Sequence, residues 1–227
     1  MTTIKTLIGA IALIAASTVF ADTCPLFPKG EESGPGVIGK RYAEAGVGFI
    51  DEAHTAHNTY GVSLGGNLPI CKGLDLNGGY SHSWFDYNPY SNSSHNLSGS
   101  AVLYQTFEEG IKPFIAPSLG YTFFDENLDA SYARKYNLRN HHGVDYAYWG
   151  LTVGAEFPYK WVSVIPTISY NDDFRSRSKS SQYFVYSTEV NTWITPKVGL
   201  YVSVSYYAMQ HVAIQTWGGG AGVRFRF

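Results

Sequence analysis

Apolar and polar side chains alternate along most of this chain. In residues 42–50, Ala43, Ala45, Val47 and Phe49 share one face while Tyr42, Glu44, Gly46 and Gly48 share the other, the period of two that an extended strand imposes. The alternation returns in residues 60–70, where Tyr60, Val62, Leu64, Leu68 and Ile70 oppose Gly61, Ser63, Gly65 and Asn67. In residues 73–84, Leu74, Leu76 and Tyr80 oppose Asp75, Asn77, Gly79 and Ser81. Residues 146–157 carry Ala147, Trp149, Leu151, Val153 and Phe157 on the apolar side, and residues 197–208 carry Val198, Leu200, Val202, Val204 and Tyr206. Residues 161–170 and 183–195 add further strands. Two runs are less regular: in residues 96–107, Val102 and Tyr104 compete with Ala101 and Leu103 for the apolar face, and residues 111–123 hold Pro113 and Pro117, which cannot donate to a ladder.

The last run, residues 215–227, is the most regular. Trp217, Gly219, Ala221, Val223, Phe225 and Phe227 form an apolar face with aromatics at both ends, and Gly218, Gly220, Gly222, Arg224 and Arg226 form one that is small and then cationic. At about 3.3 Å per residue and a tilt of about 40°, residues 217–227 project to roughly 25 Å, the height of the lipid-facing band of a membrane barrel. Such a strand needs a closed sheet, because an open edge in lipid leaves peptide groups unpaired. The segment Val223-Arg224-Phe225-Arg226-Phe227 resembles the C-terminal signal by which outer-membrane β-barrel proteins are recognised by their assembly machinery, with Val223, Phe225 and Phe227 as its apolar positions. The resemblance implies a small barrel of the bacterial outer membrane. The expected fold is therefore all-β, a closed antiparallel transmembrane β-barrel of about ten strands with eight as the alternative. A soluble all-β sandwich would bury its apolar faces instead.

Connection lengths agree with a barrel. Short ones fall at residues 71–72, 108–110, 159–160 and around Pro196; long polar ones fall at residues 51–58, 85–95, 125–145 and 171–182. Outer-membrane barrels have short periplasmic turns and long external loops. Ahead of the strands, Lys5, the apolar run 7–16 and Val19-Phe20-Ala21 have the form of a secretory signal over residues 1–21. Residues 22–38, rich in Pro and Gly, read as a periplasmic tail, and residues 39–227 as the barrel. Cys24 lies in the tail and Cys71 in the first short turn, so both face the same compartment, and a disulfide between them is expected. A formal net charge of −2 gives no reason to expect a nucleic-acid partner.

The inward charges are Glu44, Asp75, Lys112, Glu156, Glu189, Lys197, Arg224 and Arg226, mostly in the periplasmic half. A lumen of this size is only slightly wider than side chains can fill, so these acids and bases are expected to pair and plug it, with Tyr146, Tyr148, Tyr201 and Tyr207 adding bulk. A narrow passive channel is the alternative. The histidines, His54, His57, His82, His95, His141, His142 and His211, all map to external loops or strand tips. No spacing among them matches a metal motif, so no metal or cofactor is assigned. Acids and histidines at the rim resemble the omptin proteases, with Asp172-Asp173 as one acidic pair and Asp145 or Asp51 approaching a histidine such as His142. The chain departs from that pattern: Asp172 and Asp173 point to opposite faces and no Asp-x-His occurs. A lipid-modifying site would use His82 beside Trp84. No catalytic residue is assigned, and an outer-membrane hydrolase stays a secondary alternative. Arg175, Arg177 and Lys179 form a basic loop suited to the phosphates of lipopolysaccharide. The expected partners are thus outer-membrane lipids, lipopolysaccharide and the assembly machinery, around a monomeric barrel.

Overall fold

The computed structural model describes residues 34–52, 57–87, 90–127, 145–174, 182–209 and 215–227. Ten strands follow in order: β1 Tyr42–Glu52, β2 His57–Cys71, β3 Leu74–Tyr87, β4 Tyr90–Tyr104, β5 Lys112–Asn127, β6 Tyr146–Tyr159, β7 Val162–Asp173, β8 Tyr183–Trp193, β9 Val198–Met209 and β10 Gln215–Arg226. Each pairs antiparallel with its sequence neighbours, and β1 pairs with β10 to close the cylinder. No sheet edge remains, which is the condition for crossing lipid with strands.

The distribution of side chains inverts that of a soluble domain. Val47, Leu64, Leu97, Leu119 and Val202 each leave more than half their surface exposed on the outside, whereas Lys40, Asp75, Glu156 and Asn191 are among the most buried side chains. An apolar surface running right round a cylinder far exceeds what a protein tolerates in water. Lipid is the solvent that satisfies it. Aromatic belts bound the band. On the loop side, Trp149, Tyr170 and Phe184 make one run of ring contacts and Tyr186, Tyr206 and Trp217 make another. On the short-turn side, Phe225, Phe227, Tyr159 and Trp161 stand exposed. Rings that are apolar at one side and polar at the other favour this headgroup level.

Irregular runs resolve on physical grounds. Val102 is buried in the lumen and Leu97 is outward, so Ala101 and Leu103 take the lipid side of β4. The β4–β5 ladder passes from Ser100↔Ser118 to Leu103↔Ile115, skipping the step at Pro117, which has no N–H to give. Pro166 sits at a similar gap between β6 and β7. The expected external loop at residues 85–95 is mostly strand, since β3 continues to Tyr87 and β4 begins at Tyr90. The ladder runs on from Phe85↔Asn92 to Tyr87↔Tyr90, because a hairpin projecting beyond the membrane needs cross-strand hydrogen bonds and no lipid contact.

The glycines of β10 have a purpose at the seam. Gly222 lies opposite Gly46 of β1 and Tyr201 of β9, and a Cβ there would stand 2.6 Å from Tyr201 Cε1 and also run into the Ala45 carbonyl oxygen. A bare backbone lets the Tyr201 ring lie flat against the inner wall.

Candidate functional site: a strapped and salt-bridged lumen

The short-turn half of the lumen is filled from two directions. One filling is centred on Arg224, which points inward from β10 and is 4% exposed. Its Nε donates to Glu44 Oε2 of β1 at 2.7 Å, while Nη1 and Nη2 donate to Glu189 Oε1 and Oε2 of β8 at 2.9 and 3.1 Å. Nη1 also donates to Asn191 Oδ1, and Asn191 Nδ2 donates to Glu189 Oε1 at 3.0 Å. A two-pronged fit of this kind is what a planar guanidinium offers and an ammonium does not. The rings of Tyr201 and Tyr42 lie 4.4 and 5.0 Å from the guanidinium carbon, on the cation's flanks.

The second filling is a piece of main chain. Just ahead of β1, residues 36–40 turn back into the barrel, where Val37, Ile38 and Lys40 are 4%, 8% and 2% exposed. A β-turn makes this possible: the Lys40 N–H donates to the Val37 carbonyl at 3.2 Å, and Gly39 takes φ 84° at the third position, a conformation that costs glycine little. Carboxylates on the walls hold the strap by its backbone. The Val37 and Ile38 N–H groups donate to Glu156 Oε1 and Oε2 at 2.6 and 3.3 Å, and the Gly39 N–H donates to Asp75 Oδ2 at 2.7 Å. Asn67 Nδ2 donates both to Asp75 Oδ2 at 2.8 Å and to the Lys40 carbonyl at 2.7 Å. Lys112 Nζ donates to the Ile38 carbonyl at 2.7 Å, and Lys40 Nζ to the Gly34 carbonyl. From the opposite wall, Trp193 Nε1 donates to the Gly36 carbonyl at 3.2 Å, and Arg226 packs over the Trp193 ring at 3.9 Å. The strap thus spans the lumen from β3 and β6 to β8.

Of the inward charges expected from alternation, Glu44, Glu189 and Arg224 meet in the first group, Asp75, Lys112 and Glu156 grip the strap, and Arg226 stacks on Trp193. Lys197 is a correction: it is exposed in the turn at residues 194–197, because β8 ends at Trp193 and β9 starts only at Val198. The tail assigned to residues 22–38 also needs amending, since residues 36–38 lie inside the cylinder. Alternation puts Asn67 on the inner face without giving it a partner, Asn191 and Trp193 share the parity of Glu189 but carry no charge to mark them, and Lys40 precedes the first strand. Backbone amides that serve carboxylates have no period, and the only hint in the sequence was the glycine spacing at Gly34, Gly36 and Gly39.

Among the described residues, hydroxyl and amide side chains line much of the lumen on the loop side of Arg224. A recess of about 250 Å³ there is lined on its inner side by Ser63, Ser81, Ser83, Ser203, Tyr201 and Tyr207. Tyr148 crosses the bare backbone of Gly120 and its hydroxyl donates to Asn96 Oδ1 at 3.1 Å, while Asn96 Nδ2 donates to Thr122 Oγ1 at 2.9 Å. At the rim, Asp172 is buried and accepts from Gln182 Nε2 at 3.1 Å and Tyr170 Oη at 3.4 Å; Asp173 is on the other face of β7. Asp51 and Asp145 are exposed. His54, His141, His142, His211, Arg175, Arg177, Lys179 and Cys24 lie outside the described residues, while Cys71 is 1% exposed at the end of β2. Val223, Phe225 and Phe227 lie on the outward side of the closing strand, Phe227 being 74% exposed.

No family model matches the chain, and no curated protein does. Among solved structures, it is similar to Neisserial surface protein A (NspA), at 11% identity and a TM-score of 0.42 over 82% of this chain and 96% of that one. It is also similar to the translocator domain of the autotransporter NalP from Neisseria meningitidis, at 8% identity and a TM-score of 0.43 over 98% of both chains. The NanC porin gives 9% identity and a TM-score of 0.44 over 82% of this chain and all of that one, 100%. These are similarities of barrel architecture, and the membrane assignment rests on the chain's own lipid-facing band and closed ladder. The protein is a small ten-stranded β-barrel of the bacterial outer-membrane type.

Proposed function

We propose that this barrel is plugged and works through its loop-side surface, in a structural or binding role, instead of serving as an open pore. The observation that supports the reading is the strap at residues 36–40, gripped from β3, β6 and β8, beside a buried Arg224 that is bonded to Glu189. Buried charges held this way are costly to separate, because each would be left without its partner in a narrow low-dielectric space. In planar bilayers, the purified full-length barrel is therefore expected to show no steady stepwise openings. Sustained conductance by the unmodified protein would overturn the reading.

The same proposal includes the route to the membrane and the tie on the tail. Residues 1–21 act as a secretory signal, and Val223, Phe225 and Phe227 offer the assembly machinery an outward apolar edge. The barrel stands as a monomer among outer-membrane lipids, and Arg175, Arg177 and Lys179 meet lipopolysaccharide phosphates. A Cys24–Cys71 disulfide clamps the tail beside the strap, where Cys71 is already enclosed. Protein denatured without reductant should take up no maleimide, and the same protein should take up two per chain after reduction. Labelling before reduction would remove the clamp.

A further inference from the structure

On the outer surface, near the loop-side belt, β3 and β4 bring two histidines face to face. His82 and His95 are direct cross-strand partners, both on the outward parity of their strands with Trp84 and Leu97. Their Nδ1 atoms are 3.1 Å apart, and the Tyr80 Oη lies 2.6 Å from the same His95 Nδ1. Three heteroatoms therefore converge, and protons fit them poorly. A ring nitrogen offers either one lone pair or one N–H, so His95 Nδ1 must divide that single resource between a phenol and a second imidazole. A cation would engage all three atoms at once.

We propose that the outward face of the β3–β4 hairpin binds one divalent transition-metal ion between His82 Nδ1 and His95 Nδ1, with the Tyr80 oxygen as third donor. Metal–nitrogen bonds of about 2.0–2.1 Å over a 3.1 Å separation give a ligand angle of roughly 100°, between the right angle of a square plane and the tetrahedral value. The shorter oxygen–nitrogen separation gives an angle of roughly 80° on the same bond lengths, which a small rotation of the tyrosine ring relieves. Imidazole nitrogens select zinc, copper or nickel. Calcium and magnesium seek carboxylates and carbonyls, and among the described residues no group of three or more His, Cys, Asp and Glu is placed to hold a metal. Trp84 fixes the His82 ring edge-on at a centroid distance of 4.3 Å and an interplanar angle of 84°. It is a positioning residue. The open coordination positions face outward, toward water and headgroup oxygens.

The test uses the untagged full-length barrel in detergent, titrated with zinc chloride or copper sulfate in a calorimeter, with heat-modifiable gel migration confirming that each variant is folded. One ion per chain is expected. His82→Gln and His95→Gln should each weaken binding by at least about tenfold, and Tyr80→Phe should weaken it less. Copper bound to the wild type should show the nitrogen hyperfine pattern of two imidazoles in its paramagnetic resonance spectrum, a readout that needs no variant to fold. Absence of binding by the wild type, unchanged affinity in the double histidine variant, or a spectrum without nitrogen ligands would each overturn the site; unchanged affinity in Tyr80→Phe would overturn its three-donor form.

Discussion

Arg224→Ala is expected to lower the stability of the folded barrel by about 3 kcal/mol, the lower end of the range for breaking a buried ion pair from one side. Truncation leaves Glu44 and Glu189 without the cation that both contact. Their side chains are 27% and 26% exposed, so water reaches them and keeps the loss from the upper end of that range. The measurement is the urea midpoint of unfolding in detergent, with slope unchanged. Arg224→Lys should fall between wild type and alanine, because an ammonium cannot make the fork to Glu189 while also reaching Glu44. Arg224→Met combined with Glu44→Gln and Glu189→Gln should recover most of the loss, since no charge is then left unpartnered. A wild-type midpoint for the alanine variant would mean that the network fills space without holding the walls together.

Excising residues 34–39 should convert a silent barrel into one with stepwise single-channel openings. The strap is what joins Asp75 on β3, Glu156 on β6 and Trp193 on β8, and without it the two carboxylates gain water instead of amide partners. Stability should change less than in the Arg224 variant, because groups that lose a protein partner at the lumen mouth can be solvated. Gly36→Val provides a milder version: its Cβ would stand 2.7–3.0 Å from the Glu156 carboxylate, so the strap could not seat as it does. Flickering openings are the expected record. If the excised barrel stays closed, the Arg224 group alone closes the lumen, and the strap serves only stability.

Alternation makes the barrel legible because lipid imposes a strict rule on outward positions, and β9 obeys it throughout and β10 from Trp217 onward. The same rule sorted Glu44, Glu189 and Arg224 to the inside. It gave nothing for residues 36–40, which are neither strand nor periodic and are recognised through backbone amides common to every sequence. Lys197 was misplaced by a boundary of a single residue: period two assigns a face only where the ladder exists. Local pattern places His82 and His95 singly at strand tips, since their meeting depends on the register His82↔His95, which no local pattern states.

Glu44 and Arg224 belong to the first and last strands, and they lie directly across the seam. Glu189 and Asn191 reach Arg224 from within the C-terminal β-meander, so that half of the group can organise while the sheet is still open. The bond to Glu44 cannot form until the ends of the sheet meet. The guanidinium thus ties the first strand to a group contributed by β8 and β10, while the strap, tethered just ahead of β1, is anchored separately to β3, β6 and β8.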